Sequence, residues 1–232
     1  MELKPAKRIL KYEQYRLEQF KDLDNKLLAG LHRKWPAGAT HAVFQFRNKI
    51  RDEHKLAKRI SRSYNVSIIY AANPGQIKTE GPDLPDNFKE VRVSYNKLRT
   101  LFKRQAKQVY QKIKKLTPAF LEELKSAEKL LKHSRHLCLY RNNRFAALYI
   151  VVHRTNYLGK ECEWGLWMWG EPFLTTKENT AVLTHYLRWV KRIRLPLELK
   201  ARSFAVSTQK LLRKSGFEPK YVTVAKIVKG GK

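Results

Sequence analysis

Leu211-Leu-Arg-Lys-Ser-Gly-Phe-Glu218 ends a helix, and the residues on either side of it decide the fold. Ser207 and Thr208 offer caps for a short helix carrying Leu211 and Leu212, and Gly216 suits the left-handed residue that stops it. Beyond it, Tyr221-Val-Thr-Val-Ala-Lys-Ile-Val228 reads as a strand rich in β-branched residues. Before it, Leu195 to Val206 reads as another strand. A helix precedes that, with Ala181, Leu183, Tyr186, Leu187 and Val190 at helical spacing and Pro196 just past its end. Further back, Cys162-Glu-Trp-Gly-Leu-Trp-Met-Trp169 is apolar on both faces from Trp164 onward, as a strand covered on both sides should be. Glu161 to Val228 therefore runs strand, helix, strand, helix, strand.

Toward the N-terminus, Leu137 to Tyr140 and Phe145 to His153 form a hairpin about the turn Arg141-Asn-Asn-Arg144. Thr117-Pro118 gives the cap and first residue of a helix with Phe120, Leu121, Leu124 and Leu131 facing inward. Leu98, Leu101, Phe102, Val109, Tyr110 and Ile113 outline a longer amphipathic helix, and Val91 to Tyr95 is the expected first strand. Turn formers crowd Asn73-Pro-Gly and Glu80-Gly-Pro-Asp-Leu-Pro-Asp-Asn87, which sets a boundary there. Upstream, residues 1–64 read as basic and helical. Tyr12, Phe20, Leu23, Leu27, Leu28 and Leu31 recur at three and four, and Thr40 caps a second helix with Phe46, Ile50, Ala57, Ile60 and Tyr64 in one stripe. Val66 to Tyr70 is a short strand. The expected fold is α+β, a mixed sheet flanked by helices over 88–232, with a basic, mainly helical N-terminal region over 1–87.

The order of elements over 88–232, together with the Leu-x-x-x-x-Gly-Phe-Glu turn, resembles the GNAT superfamily of acyl-CoA-dependent N-acetyltransferases. The resemblance implies acetyl-CoA or another acyl-CoA as cofactor, entering between the Trp-rich strand and Leu197 to Val206. Its pyrophosphate would rest on backbone N–H groups at a helix N-terminus, which Trp169, Gly170, Thr175, Thr176 and Lys177 surround here. Lys191 and Arg192 are more distant cations. The family's signature, Arg or Gln followed by x-x-Gly-x-Gly or Ala, does not occur in Gly170 to Ala181. Instead Thr175-Thr-Lys-Glu178 has the spacing of a capping box, which would satisfy those donors internally and put a carboxylate where phosphate should go.

For acid–base chemistry, Glu161 and Glu163 alternate with Cys162, so both carboxylates are expected on one strand face, where either can take the proton of an attacking amine. The competing reading is pairing with nearby Lys or Arg. The family's Tyr shortly before the final Gly is missing from Lys210 to Leu212, so a proton donor would come from Tyr157, Ser207 or water. Alternation places Trp164, Leu166 and Met168 on one face and Gly165, Trp167 and Trp169 on the other; one set fills the core, and the other packs as well or lines a cleft beside the two glutamates. His133-Ser-Arg-His136-Leu-Cys138 matches no common zinc spacing and lies among basic residues, so no metal is expected.

Charge is the other dominant fact. Lys and Arg number 49 against 20 Asp and Glu, a formal +29 with pI near 10.2. Such an imbalance points to a polyanionic partner, RNA or DNA held largely through phosphate contacts. An anionic membrane surface is the weaker alternative, and a merely solubilising charge is the plain one. Arg99, Lys103, Arg104, Lys107, Lys114 and Lys115 line the polar side of the long helix and are the candidate phosphate contacts. No zinc finger, RNP signature or clear helix-turn-helix appears, so base-specific reading is not expected. Cys138 and Cys162 fall in strands as reduced core thiols. No apolar run of about 18 residues or signal-like N-terminus occurs, and a cytoplasmic protein is expected. Two functions follow. One is an N-acyltransferase acting on or near nucleic acid, on an aminoacyl-tRNA amine, a modified base or a nucleic-acid-bound protein. The other is a non-catalytic nucleic-acid-binding protein of the same fold.

Overall fold

The computed structural model describes residues 9–17, 41–46, 64–112, 118–156, 159–202 and 206–226. Its strands are β1 (Ile9–Leu17), β2 (His41–Phe46), β3 (Tyr64–Ala72), β4 (Phe88–Glu90), β5 (Ser134–Arg141), β6 (Arg144–Thr155), β7 (Glu161–Gly170), β8 (Leu197–Arg202) and β9 (Glu218–Lys226). The helices are α1 (Tyr95–Lys112), α2 (Pro118–Leu130), α3 (Thr176–Lys191) and α4 (Val206–Lys214). The fold class is α+β, as expected. The chain divides into two compact units, one of Met1–Gln76, Arg154–Cys162 and Pro196–Ile227, the other of Ile77–His153, Glu163–Leu195 and Val228–Lys232.

In the first unit the strands run in the order β1-β2-β9-β3-β8. β1 and β2 are parallel, and the other pairs are antiparallel. β3 lies between β9 and β8, with Ile69 opposite Tyr221 on one side and Lys200 on the other. Flanked on both edges, β3 buries every side chain from Val66 to Ala72, which is why all of them but Ser67 are apolar or aromatic. The turn after α4 is a Schellman motif. Phe217 N donates to Leu212 O at 3.0 Å and Gly216 N to Arg213 O at 3.0 Å, with Gly216 at φ 89°. A side chain at Gly216 would cost left-handed strain, and this is the physical content of the Gly-Phe-Glu turn.

In the second unit the order is β7-β6-β5-β4. β5 and β6 form the expected hairpin. Its turn residues Asn142 and Asn143 have φ of 48° and 62°, the doubly left-handed conformation that suits the twist of paired strands. Cys138 lies opposite Leu148 and His136 opposite Ile150; this face meets α1 and α2 through Leu98, Leu101, Phe102, Ala127 and Leu131. Burying a side chain such as Phe102 or Ile150 stabilises the unit by about 1.5–3 kcal/mol each. The opposite face carries Tyr149, on which Tyr186 of α3 stacks with centroids 4.3 Å apart.

Several expectations are corrected. Ile9–Leu17 and His41–Phe46 are strands rather than parts of helices. His41-Ala-Val-Phe-Gln-Phe46 also fits a period of two, and pairing with β9 settles the ambiguity where spacing alone could not. The helical reading of 18–40 and 47–63, including the Thr40 cap, lies outside the described residues. The strand expected at Val91 to Tyr95 is β4 at Phe88–Glu90 instead, because Ser94 caps α1: its Oγ accepts from Lys97 N at 3.4 Å and its carbonyl from Leu98 N at 2.9 Å. Ser207 does not cap α4 either; it is the second helical residue, and the cap position falls outside the described residues.

Candidate functional site

Glu163 stands out in the second unit because β7 carries it inward instead of to the surface. The residue is 1% exposed. One oxygen, Oε1, lies 2.5 Å from Arg135 Nη2 and 3.5 Å from His153 Nδ1, and both of these partners are half-exposed. The other oxygen, Oε2, is buried and has no hydrogen-bond partner among the described residues. The same holds for the hydroxyl of Tyr186, whose phenol is pushed well up first by burial, then by Tyr149 and by the charge on Glu163. A buried polar atom without a partner costs roughly 1–3 kcal/mol, so its retention asks for an explanation. Arg135 on β5 and His153 on β6 converge on Glu163 because they share the sheet face that α3 covers.

Of the two carboxylates expected on one strand face, Glu161 is exposed, and Glu163 is buried and ion-paired with Arg135. The expected alternation along β7 fails. Glu163 sits on the Tyr149 face, but Trp167 meets Phe102 of α1 edge-on at 5.0 Å and donates from Nε1 to Gln105 Oε1 at 2.7 Å, on the opposite face. Two-residue alternation would keep 163 and 167 together, so the strand slips by one residue between them, as at a β-bulge. The cleft of indoles beside the glutamates is therefore not formed; Trp167 and Trp169 pack on the α1–α2 core, and Trp164 is buried.

At the N-terminus of α3 the capping box forms in full. Thr175 Oγ1 accepts from Glu178 N at 3.2 Å, and Glu178 Oε2 accepts from Thr175 N at 2.9 Å. Arg141 of the hairpin turn adds an ion pair, with Nε 2.9 Å from Glu178 Oε1. The backbone N–H of Thr175 chiefly holds the Glu178 carboxyl below its usual range, helped by the Thr175 hydroxyl and Arg141. Thr175, Thr176 and Lys177 are exposed. Gly170 is explained by close approach rather than by a ligand: a Cβ there would fall 2.8 Å from Asn179 Oδ1. A diphosphate at this helix end would meet a carboxylate that already takes the Thr175 N–H and brings negative charge to the site.

Three of the six candidate phosphate contacts are already paired with carboxylates. Arg99 Nε lies 2.5 Å and Lys103 Nζ 3.1 Å from Glu128 Oε1, and Arg104 Nη2 lies 2.8 Å from Glu171 Oε1. Lys107 is exposed, and Lys114 and Lys115 lie outside the described residues. Ser207 is exposed on α4, and Tyr157 lies outside the described residues. Sequence reasoning missed one further buried cluster, in the first unit. Glu198 accepts from Asn156 Nδ2 at 2.7 Å and from the Tyr221 hydroxyl, while Asn156 Oδ1 accepts from Lys160 N at 3.0 Å. A Glu set between two leucines at the start of a strand, Leu197-Glu-Leu199, was the available signal. Among the described residues no group of His, Cys, Asp or Glu is placed to hold a metal ion, and no helix is long and apolar enough to cross a membrane.

No family model and no curated protein matches the chain. Solved structures do. The chain is similar to a GCN5-related N-acetyltransferase from Sphaerobacter thermophilus, at 15% identity, 89% of this chain, 69% of that one and a TM-score of 0.47. A second such structure, from Kribbella flavida, is similar at 11% identity over 88% of this chain and 74% of that one, with a TM-score of 0.45. A conserved protein of unknown function from Staphylococcus epidermidis is similar at 15% identity over 92% and 83%, with a TM-score of 0.44. These are likenesses in the course of the chain, and nothing about substrates comes with them.

Proposed function

We propose that the protein transfers an acyl group to an amine, with Glu163 as the general base, and that its substrate is carried on or beside nucleic acid. The observation that carries this reading is the half-satisfied, buried carboxylate of Glu163. An amine is mostly protonated at neutral pH and attacks a carbonyl only after losing that proton. A carboxylate fixed through one oxygen by Arg135 is held in orientation, and because its other oxygen is buried the amine proton reaches it by way of the half-exposed His153 or one water. His153, half-exposed and on the same oxygen as Arg135, offers the proton a way out to solvent. The nucleic-acid part of the proposal rests on the formal +29 charge.

The self-capped N-terminus of α3 favours a second reading, in which the same fold binds nucleic acid without catalysis. One experiment separates them. The full chain is incubated with tRNA and amine-bearing peptides, with acetyl-CoA or aminoacyl-tRNA as donor, and products are read by mass spectrometry. The first reading expects a product whose rate falls about 10²–10⁴-fold in Glu163→Gln while RNA binding is unchanged. RNA binding with no product from any donor would leave only the second.

A further inference from the structure

We infer that Glu178 is a built-in replacement for a ligand anion, so that the N-terminus of α3 rejects the diphosphate of a CoA-type donor. Several of the backbone donors in this loop already have partners, which leaves the N–H groups of Thr176 and Lys177 at the helix start beside the Glu178 carboxylate. Glu171 N donates to Ala146 O at 2.8 Å, Leu174 N to Glu171 O at 3.1 Å and Asn179 N to Thr175 O at 2.9 Å. Pro172 has no N–H to offer. Thr175 N and Glu178 N are spent on the capping box. The Asn179 side-chain amide donates to Leu174 O at 3.1 Å, which ties the loop to the first turn of the helix.

The electrostatics point the same way. Glu178 brings a negative charge to the end of the helix that attracts anions, and the macrodipole stabilises that charge as it would a phosphate. Its second oxygen is matched by Arg141, and the neighbouring Glu171 is matched by Arg104. A diphosphate approaching from solvent therefore meets two carboxylates, each already holding its own cation. The anionic part of any acyl donor must be held on another surface, or be absent from the donor.

Neutralising Glu178 should remove the negative charge that keeps an anion off the helix end. In Glu178→Gln the side chain still completes the box, because Gln serves at this position, but Arg141 is left as an uncompensated cation beside the helix end. Binding of inorganic pyrophosphate and of desulfo-CoA is measured by calorimetry on the full chain in about 0.3 M salt, which screens diffuse attraction to the basic surface. The wild type is expected to show no saturable site, Glu178→Gln to bind pyrophosphate at least ~10-fold more tightly, and Glu178→Gln with Arg141→Gln to lose that gain. Should the Gln variant not fold, Glu178→Ala replaces it. Saturable binding of desulfo-CoA to the wild type with equal affinity in Glu178→Gln would overturn the inference, as would no gain in either variant. The readout is binding, so it stands apart from whether Glu163 catalyses anything.

Discussion

Glu178 and Glu163 lie fifteen positions apart in sequence, are both carboxylates in the second unit, and differ in how fully their charge is matched. Glu178 is matched on both oxygens. Its folded carboxyl titrates below the unfolded one, so its contribution to stability is complete above the ordinary carboxylate range and is lost as pH falls through the depressed folded value. Thermal melts should accordingly show the wild type above Glu178→Gln at neutral pH and the two curves converging in acid; a constant gap would mean that the pair with Arg141 and the cap contribute nothing electrostatic. Removing the other half of the box, with Thr175→Ala, should cost about 1 kcal/mol in urea unfolding. Burial pushes the Cys138 thiol up to about 11, so iodoacetamide at pH 8 should leave Cys138 unmodified in the native chain and alkylate it after unfolding. The Thr-x-x-Glu spacing made the cap legible because its partners are three residues apart. Arg141 was not legible, because only the hairpin brings it there.

Elements set those residues in place, and they were readable to the extent that a single periodicity described them. α1 and α3 follow the period of a helix from end to end, and the Asn142–Asn143 turn follows from the twist of its strands. Replacing Asn142 or Asn143 by Ala should destabilise by about 1–2 kcal/mol, while Asn143→Gly should be neutral or better, both by urea unfolding. β7 was read as one alternating strand and is not. The slip between Glu163 and Trp167 has no signal in a string of apolar residues, since indoles fit either face. The consequence reaches the candidate site, because the slip separates Glu163 from the tryptophans and leaves it among Arg135, His153 and the stacked tyrosines. β1 and β2 were misread for a related reason: short segments that satisfy both periods are decided by their partners, here β9 for β2.

At the scale of the whole molecule, the excess positive charge is the feature least affected by folding and the least localised. Of the cations chosen as phosphate contacts, Arg99, Lys103 and Arg104 are engaged with Glu128 and Glu171. Substituting Arg99 and Lys103 together should therefore change the salt dependence of RNA binding little, whereas Lys107→Ala should lower the log–log slope by about 0.9, the share of one phosphate contact. Equal effects would show that the ion pairs open on binding. The order of β9, β3 and β8 carries a different lesson, for anyone who wants a smaller version of this protein. A polypeptide starting at residue 88 would keep β8 and β9 but lack β3, the plank that joins them along both edges. Trimming there exposes two raw, sticky borders in place of a finished sheet, and shortened preparations should come out of the cell as inclusion bodies unless residues 64–72 are supplied again, by fusion or as a separate peptide.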